Sequence, residues 1–268
     1  LPAKAALPGY DRAARQIGVV HFGLGAFTRA HQAWYTDAAI ERDGGDWLIA
    51  GVSLRSAEVA DQLNPQDGLY TLAQKSGAGT DLRVIGSVAE VIVASRDPTR
   101  IVALLAAPAT HIVTFTITEK GYCRAPDGSL DRAQADEASV FRFLRDGLAY
   151  RRAAGLPGLT LLSCDNLADN GHQLKRLLAD YLAAHDPALG MWTMAHCTFP
   201  CSMVDRIVPA TTEADRNATA ATLGLRDEGV VVTEPFSQWV IEDAFAGPRP
   251  AWDRVGAQIV RDVAPYET

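Results

Sequence analysis

Cysteine is scarce in this chain, with four in 268 residues at positions 123, 164, 197 and 201. So few residues, so widely scattered, cannot frame a disulfide scaffold in a chain this long, and all four are expected to be free thiols. His196, Cys197 and Cys201 lie close in sequence, but no further ligand follows at a zinc-like spacing, so no metal is expected. Positive charge is also short. Lys and Arg total 25 against 32 Asp and Glu, for a net charge of −7, which leaves no basic patch for nucleic acid. Long apolar runs are missing too. The longest apolar region, 101–117, is broken by Pro108 and His111 and reads as a helix end followed by a strand, so no membrane span is expected. The opening LPAKAALPGYDRAAR lacks the charged start and apolar stretch of a secretory signal, which points to a cytoplasmic location.

What the chain does have is a globular composition, 48% hydrophobic and 21% charged, at a length that can bury one large core. Its organising stretch is Ile17 to Tyr35, IGVVHFGLGAFTRAHQAWY. A short apolar run reaches Gly23, and an apolar face then recurs at helical spacing beyond Gly25 and the small Ala26. That is a buried strand, a glycine turn and a helix start. Such glycines turn the backbone sharply and let a pyrophosphate approach N–H groups at a helix N-terminus. The third glycine of G-x-G-x-x-G is lacking, and Thr28 stands in its place.

Further along, Arg29 to Glu41 reads as a helix and Asp46 to Ser53 as a second strand. A ribose-reading acid belongs at the end of that strand, yet Arg55 is found there, able to approach an adenosine phosphate, stack on adenine or sit as a solvated loop residue. The segments Leu69 to Gln74 and Leu82 to Ala89 flank Ser76-Gly77-Ala78-Gly79 and predict a hairpin inserted on or beside the main sheet. A helix capped by Asp97, with Pro98 at its first position, precedes a strand over His111 to Ile117. Glu137 to Ala153 reads as a helix, Leu159 to Ser163 as a strand, and His172 to Ala184 as a helix. Met191 to Phe199 and Val255 to Val263 read as strands. This alternation predicts an α/β fold, doubly wound and Rossmann-like, with a mostly parallel sheet and an inserted β-hairpin.

Strand ends in such a sheet carry the chemistry, and several polar residues fall there. Thr118 and Glu119 follow one strand. Asn166 follows another, where its amide can donate to an oxygen that gains negative charge; spacing alone favours the plainer reading, that the amide satisfies local backbone groups. Asp205 can shape a site or pair with Arg206.

The continuation Phe27, Arg29, Ala30, His31 resembles the G-x-G-x-F-x-R-A-H signature of the polyol-specific long-chain dehydrogenases, the mannitol 2-dehydrogenase and fructuronate reductase (mannonate oxidoreductase) family. That family usually has His where this chain has Thr28. The resemblance extends through Thr118-Glu119-Lys120-Gly121-Tyr122, through Ser163-Cys164-Asp165-Asn166-Leu167, through Phe199-Pro200 to Pro209, and through Glu234-Pro235-Phe236 to Asp243. It implies that residues 1–268 form the dinucleotide-binding (Rossmann) domain of a metal-independent, NAD-dependent oxidoreductase. Such an enzyme interconverts a secondary alcohol of a polyol or sugar acid and its ketone, with mannitol/fructose and mannonate/fructuronate as the two expected pairs. Cofactor contacts are implied for Gly23, Gly25, Ala26, Phe27, Arg55, Thr118 and Glu119, and catalytic roles for Asn166, Asp205 and Glu267. In that family the Pro-Tyr-Glu stretch leads into K-x-x-x-L-N-x-x-H, which opens a mostly helical domain and supplies the catalytic Lys. This sequence ends at Thr268, so that domain is expected after it, packed against this one. None of the seven tyrosines has Lys four residues on, which removes the proton donor of a short-chain dehydrogenase. The rival reading is a non-catalytic dinucleotide-sensing module, for which polar groups converging on a nicotinamide have no use.

Overall fold

The computed structural model describes residues 5–267, with the side chains of 137 and 138 left aside. The chain opens with β1 (Ile17–Phe22), α1 (Ala26–Ala30), α2 (Gln32–Asp43), β2 (Leu48–Ser53) and α3 (Glu58–Leu63). It continues through β3 (Tyr70–Ser76), β4 (Gly79–Ile85), β5 (Val88–Val93), α4 (Pro98–Ala106), β6 (Ile112–Phe115) and the single turn α5 (Thr118–Gly121). Next come α6 (Arg132–Ala138), α7 (Val140–Ala153), β7 (Thr160–Ser163), α8 (Asn170–His185) and α9 (Pro187–His196). It closes with β8 (Ser202–Asp205), α10 (Glu213–Leu223), β9 (Val231–Thr233), β10 (Gln238–Glu242) and β11 (Gln258–Val260).

Five strands form one parallel sheet in the order β5-β2-β1-β6-β7. Strands buried on both faces must be apolar throughout, and β1 shows how that is divided. Val20 and Phe22 face a core cluster shared with Leu104, Phe141 and Leu177, while Val19 faces a second cluster with Tyr35 and Trp239. The strand order reverses between β1 and β6, and a crevice opens there at the carboxyl edge. The predicted hairpin is present as β3 and β4, but it pairs with β9 in a separate three-stranded sheet and does not join the main one. A third sheet, β11-β10-β8, lies further along the chain and brings Asp205 at the end of β8 opposite Gln238.

Three readings are corrected. Residues 191–199, expected as a strand, belong mostly to α9, because Asp186 caps that helix by accepting from Leu189 N at 2.9 Å with Pro187 at its first position. Leu189 and Thr193, four apart, are its buried residues, the chain turns extended from Cys197, and Thr198 bridges Thr160 at the start of β7. The strand expected over 255–263 is confined to β11, preceded by a short 3-10 turn at Trp252–Val255. The helix after the glycine turn breaks at His31, whose φ of −116° and ψ of −88° separate α1 from α2. All four cysteines are free and buried, and among the described residues no helix is long and apolar enough to cross a membrane.

Candidate active site at the carboxyl edge of the sheet

Gly23 ends β1 at φ +92°, and a Cβ there would sit 2.1 Å from the Thr116 carbonyl oxygen, so the turn excludes any other residue. Gly25 differs. A methyl group at this position would find the Gly23 oxygen as its nearest neighbour, at 3.8 Å, so the space above it is open. The helix that follows, α1, has no side-chain cap, which leaves its first N–H groups free for an anion. This opening belongs to a cleft of about 480 Å³ whose walls include Gly23, Gly25, Ala26, Phe27, Thr116, Thr118, Asn166 and Asp205. A pyrophosphate needs a close backbone approach and unpaired N–H donors, and this turn fits that need.

A polar, uncharged network braces the glycine turn beneath the cleft. His21, fully buried in β1, bonds Thr114 Oγ1 at 2.7 Å through Nδ1 and Thr116 Oγ1 at 2.8 Å through Nε2. Thr28 Oγ1 adds contacts to His21 Nε2 at 2.9 Å and to Thr116 Oγ1 at 2.7 Å, and Thr116 donates to Gly23 O at 2.9 Å. Burial pushes the His21 pKa down to about 3, so the imidazole is neutral and locks the glycine turn to β6. Thr28, which replaces the expected glycine, is a member of this network.

The Asp165-Asn166 pair follows β7, and the two side chains do opposite things. Asp165 is buried and accepts from Ile117 N at 3.1 Å, Thr118 N at 2.8 Å and the Tyr122 hydroxyl at 2.8 Å. It thereby holds Thr118 in its left-handed conformation, φ +62°, at the cleft wall. Burial raises the Asp165 pKa, and those hydrogen bonds oppose the shift. Asn166 is exposed to the cleft, and its amide makes no hydrogen bond to any described residue. The backbone-satisfying work that spacing assigned to Asn166 is done by Asn170. Its Nδ2 donates to Asp165 O at 2.9 Å and Ser202 O at 2.8 Å, and its Oδ1 accepts from Ser202 N at 3.0 Å. Asp165 and Asn170 are the site-building residues that sequence reasoning passed over; the signal available was their spacing around Asn166 at a strand-to-helix junction.

Asp205 is exposed and lines the cleft, as does the neighbouring face of Arg206. The two do not form the expected ion pair. Adjacent residues of an extended segment point to opposite sides. Arg206 is buried, donating to Ala30 O, to Gln74 Oε1 at 3.3 Å and to Glu234 O at 3.4 Å, with its guanidinium 5.0 Å from the Trp34 ring. Arg29 and His31 of the signature are likewise framework. Arg29 donates to Gly229 O at 2.7 Å, and the His31 ring meets Gln238 O at 2.8 Å and stacks on Phe27 with ring centres 5.1 Å apart. Asn166 and Asp205 also border a second cavity of about 590 Å³, lined as well by Gln238, Tyr266 and Glu267. The Glu267 carboxylate is exposed there and accepts from Asp169 N at 3.3 Å. Two predicted contacts fall outside both cavities. Glu119 turns outward to pair with Arg124 at 2.6 Å, and Arg55 is an exposed residue beyond β2.

A parallel sheet with an open glycine turn at its switch point and polar groups delivered by β6, β7 and β8 defines a Rossmann-type dinucleotide-binding domain. More narrowly, residues 17–254 match the mannitol dehydrogenase Rossmann domain, and the chain belongs to that family. It is 41% identical over 277 residues to the D-mannonate oxidoreductase of Escherichia coli (strain K12), covering 98% of this chain and 57% of the relative. It is 40% identical over 276 residues to a mannitol 2-dehydrogenase of Pyrenophora tritici-repentis, covering 97% and 49% respectively. Among solved structures, the Pseudomonas fluorescens mannitol 2-dehydrogenase in ternary complex with NAD and D-mannitol superposes with a TM-score of 0.92 at 42% identity, over 99% of this chain and 57% of that one. D-sorbitol dehydrogenase in its substrate-free form gives 0.93 at 36% identity, over 100% and 58%. The chain thus spans roughly half the length of these relatives, between 49% and 58%.

Proposed function

We propose that this chain is the NAD-binding portion of an oxidoreductase that interconverts a secondary alcohol of a polyol or sugar acid and the corresponding ketone. The observation that carries this reading is the unpartnered Asn166 amide, which sits on the wall shared by the glycine-turn cleft and the second cavity. The dinucleotide, when bound, supplies the hydride acceptor or donor. The glycine turn, Ala26 and Phe27 would hold its phosphates and ribose, with Thr118 on the same cleft wall. The Asn166 amide donates to the substrate oxygen as negative charge builds on it. Asp205 and Glu267 line the polar cavity that takes the substrate, and Glu267 carries protons between that cavity and solvent. The proton of the alcohol goes to a Lys supplied by a further helical segment of the family, with no metal required.

Mannitol 2-dehydrogenase and D-mannonate oxidoreductase are matched at 40% and 41% identity, a difference too small to choose between their substrates. The test is a steady-state assay of the full-length protein against mannitol, arabinitol, mannonate and altronate, with NAD and with NADP. Turnover of at least one with NAD is the expected result. NADH binding without turnover of any polyol or sugar acid would instead identify a dinucleotide sensor.

A further inference from the structure

Next in the chain to Ala168 and Ser202, which line the second cavity, Asp169, His172 and Cys201 bring a carboxylate oxygen, an imidazole nitrogen and a thiol to within 4.8 Å of one another. No part of the proposed hydride transfer uses them. We propose that they form a binding site for a borderline-soft divalent cation of the zinc type, next to the substrate cavity.

Two of the three ligand separations already match a tetrahedral site. An ion with bonds of about 2.0–2.3 Å holds its ligand atoms roughly 3.3–3.8 Å apart. Cys201 Sγ lies 3.8 Å from Asp169 Oδ1 and 3.8 Å from His172 Nδ1. Asp169 and His172 are in direct hydrogen-bond contact, three residues apart at the start of α8, and spread to either side of an ion that replaces the shared proton. Their side chains are 61% and 60% exposed, whereas Cys201 is 2% exposed, so an ion enters from solvent past two exposed ligands and seats on a buried sulfur. Coordination displaces the thiol proton to water. The fourth position faces solvent and takes a water.

The donor set selects the metal. One sulfur, one nitrogen and one oxygen suit zinc or cobalt and do not suit magnesium or calcium, which take oxygen ligands. Two further carboxylates add negative charge close by: Glu242 accepts from Cys201 N at 2.8 Å, and Glu267 accepts from Asp169 N at 3.3 Å. Through Glu267 the ion sits one hydrogen bond from the substrate cavity. The trio suggested by sequence spacing, His196 with Cys197 and Cys201, does not converge. His196 bonds Trp192 O, and Cys197 accepts from Leu159 N.

Cobalt titration of the metal-stripped full-length protein tests the site, because a thiolate bound to cobalt gives a near-ultraviolet charge-transfer band. The expected result is a band that saturates at one cobalt per chain, is displaced by zinc and is untouched by excess magnesium. Cys201→Ser should abolish the band, and His172→Gln, a surface change that leaves the fold intact, should weaken cobalt affinity by about tenfold or more. No band in the wild-type protein overturns the proposal, as does a band that persists in Cys201→Ser or an affinity unmoved by His172→Gln. None of these readouts depends on turnover, so the site and the proposed reaction stand or fall separately.

Discussion

Asn166 and Asn170 lie four residues apart, and truncating each to Ala should produce opposite phenotypes. Asn166→Ala removes an exposed amide with no hydrogen bond to a described residue, so the expected change in stability is within about 0.5 kcal/mol. If that amide donates to the reacting oxygen, turnover should fall by roughly 10²–10³, the cost of one oxyanion-type donor, while the KM for NAD holds. Asn170→Ala deletes three buried hydrogen bonds and strands the Ser202 carbonyl and N–H, while the Asp165 carbonyl keeps its bond from Leu167 N at 2.8 Å. At about 1–3 kcal/mol for each of the two buried groups left unpaired, with partial relief by water, the expected loss is roughly 2–4 kcal/mol. In a domain of this size that lowers Tm by roughly 10 °C. Thermal unfolding and steady-state kinetics on the two full-length variants make the comparison. Asn166→Ala turning over at the wild-type rate, or melting as early as Asn170→Ala, would refute the division of labour between the two residues.

The two glycines of the turn should also separate. Gly23→Ala is expected to destabilise the fold because its Cβ meets Thr116 O at 2.1 Å at a positive φ. Gly25→Ala should fold normally and weaken NADH binding, read by fluorescence titration, because its methyl fills the open space over the turn. Stability should depend on pH through the buried histidines. His21 and His31 are each held neutral, with pKa values pushed down to about 3 by burial, against about 6.5 in the unfolded chain. Above about pH 6.5 neither state is protonated. As pH falls from there toward 3, the unfolded chain binds the protons first, so stability is lost at about 1.4 kcal/mol per pH unit per histidine. Urea midpoints across that range should show the slope, His31→Gln should roughly halve it, and a flat profile would contradict the burial argument. Asp205→Asn is expected to raise the KM for the polyol or sugar acid and leave NADH affinity unchanged, a pattern that titrations of both ligands would reveal.

Local chemistry in the sequence foretold the elements that local chemistry controls. Asp97 with Pro98 caps α4 as expected, with Asp97 accepting from Arg100 N at 3.0 Å, and the glycine turn sits where its steric demands put it. The same logic would have found α9, since Asp186 and Pro187 repeat the capping pattern of α4; its apolar residues masked the signal by looking like a strand. The main-sheet strand β5 was hidden in a different way. It follows the hairpin after only two residues, so Leu82 to Ala89 reads as one extended run that in the structure is shared between two sheets. Which polar residue faces a cavity was legible only in part. Sequence order makes Asp205 and Arg206 a natural pair, but an extended backbone turns them apart, and the burial of Arg206 over Trp34 depends on contacts more than a hundred residues distant. Asn166 and Asn170 look interchangeable along the chain. The carbonyl of Ser202, brought in by β8, decides between them.

A structure of the full-length protein with NAD and a bound polyol or sugar acid tests the central claim most directly. The account predicts the pyrophosphate over Gly25, the nicotinamide at the wall shared by the two cavities, and the Asn166 Nδ2 within hydrogen-bond reach of the substrate oxygen. A dinucleotide seated elsewhere on the sheet, or a substrate oxygen out of reach of Asn166, would contradict it.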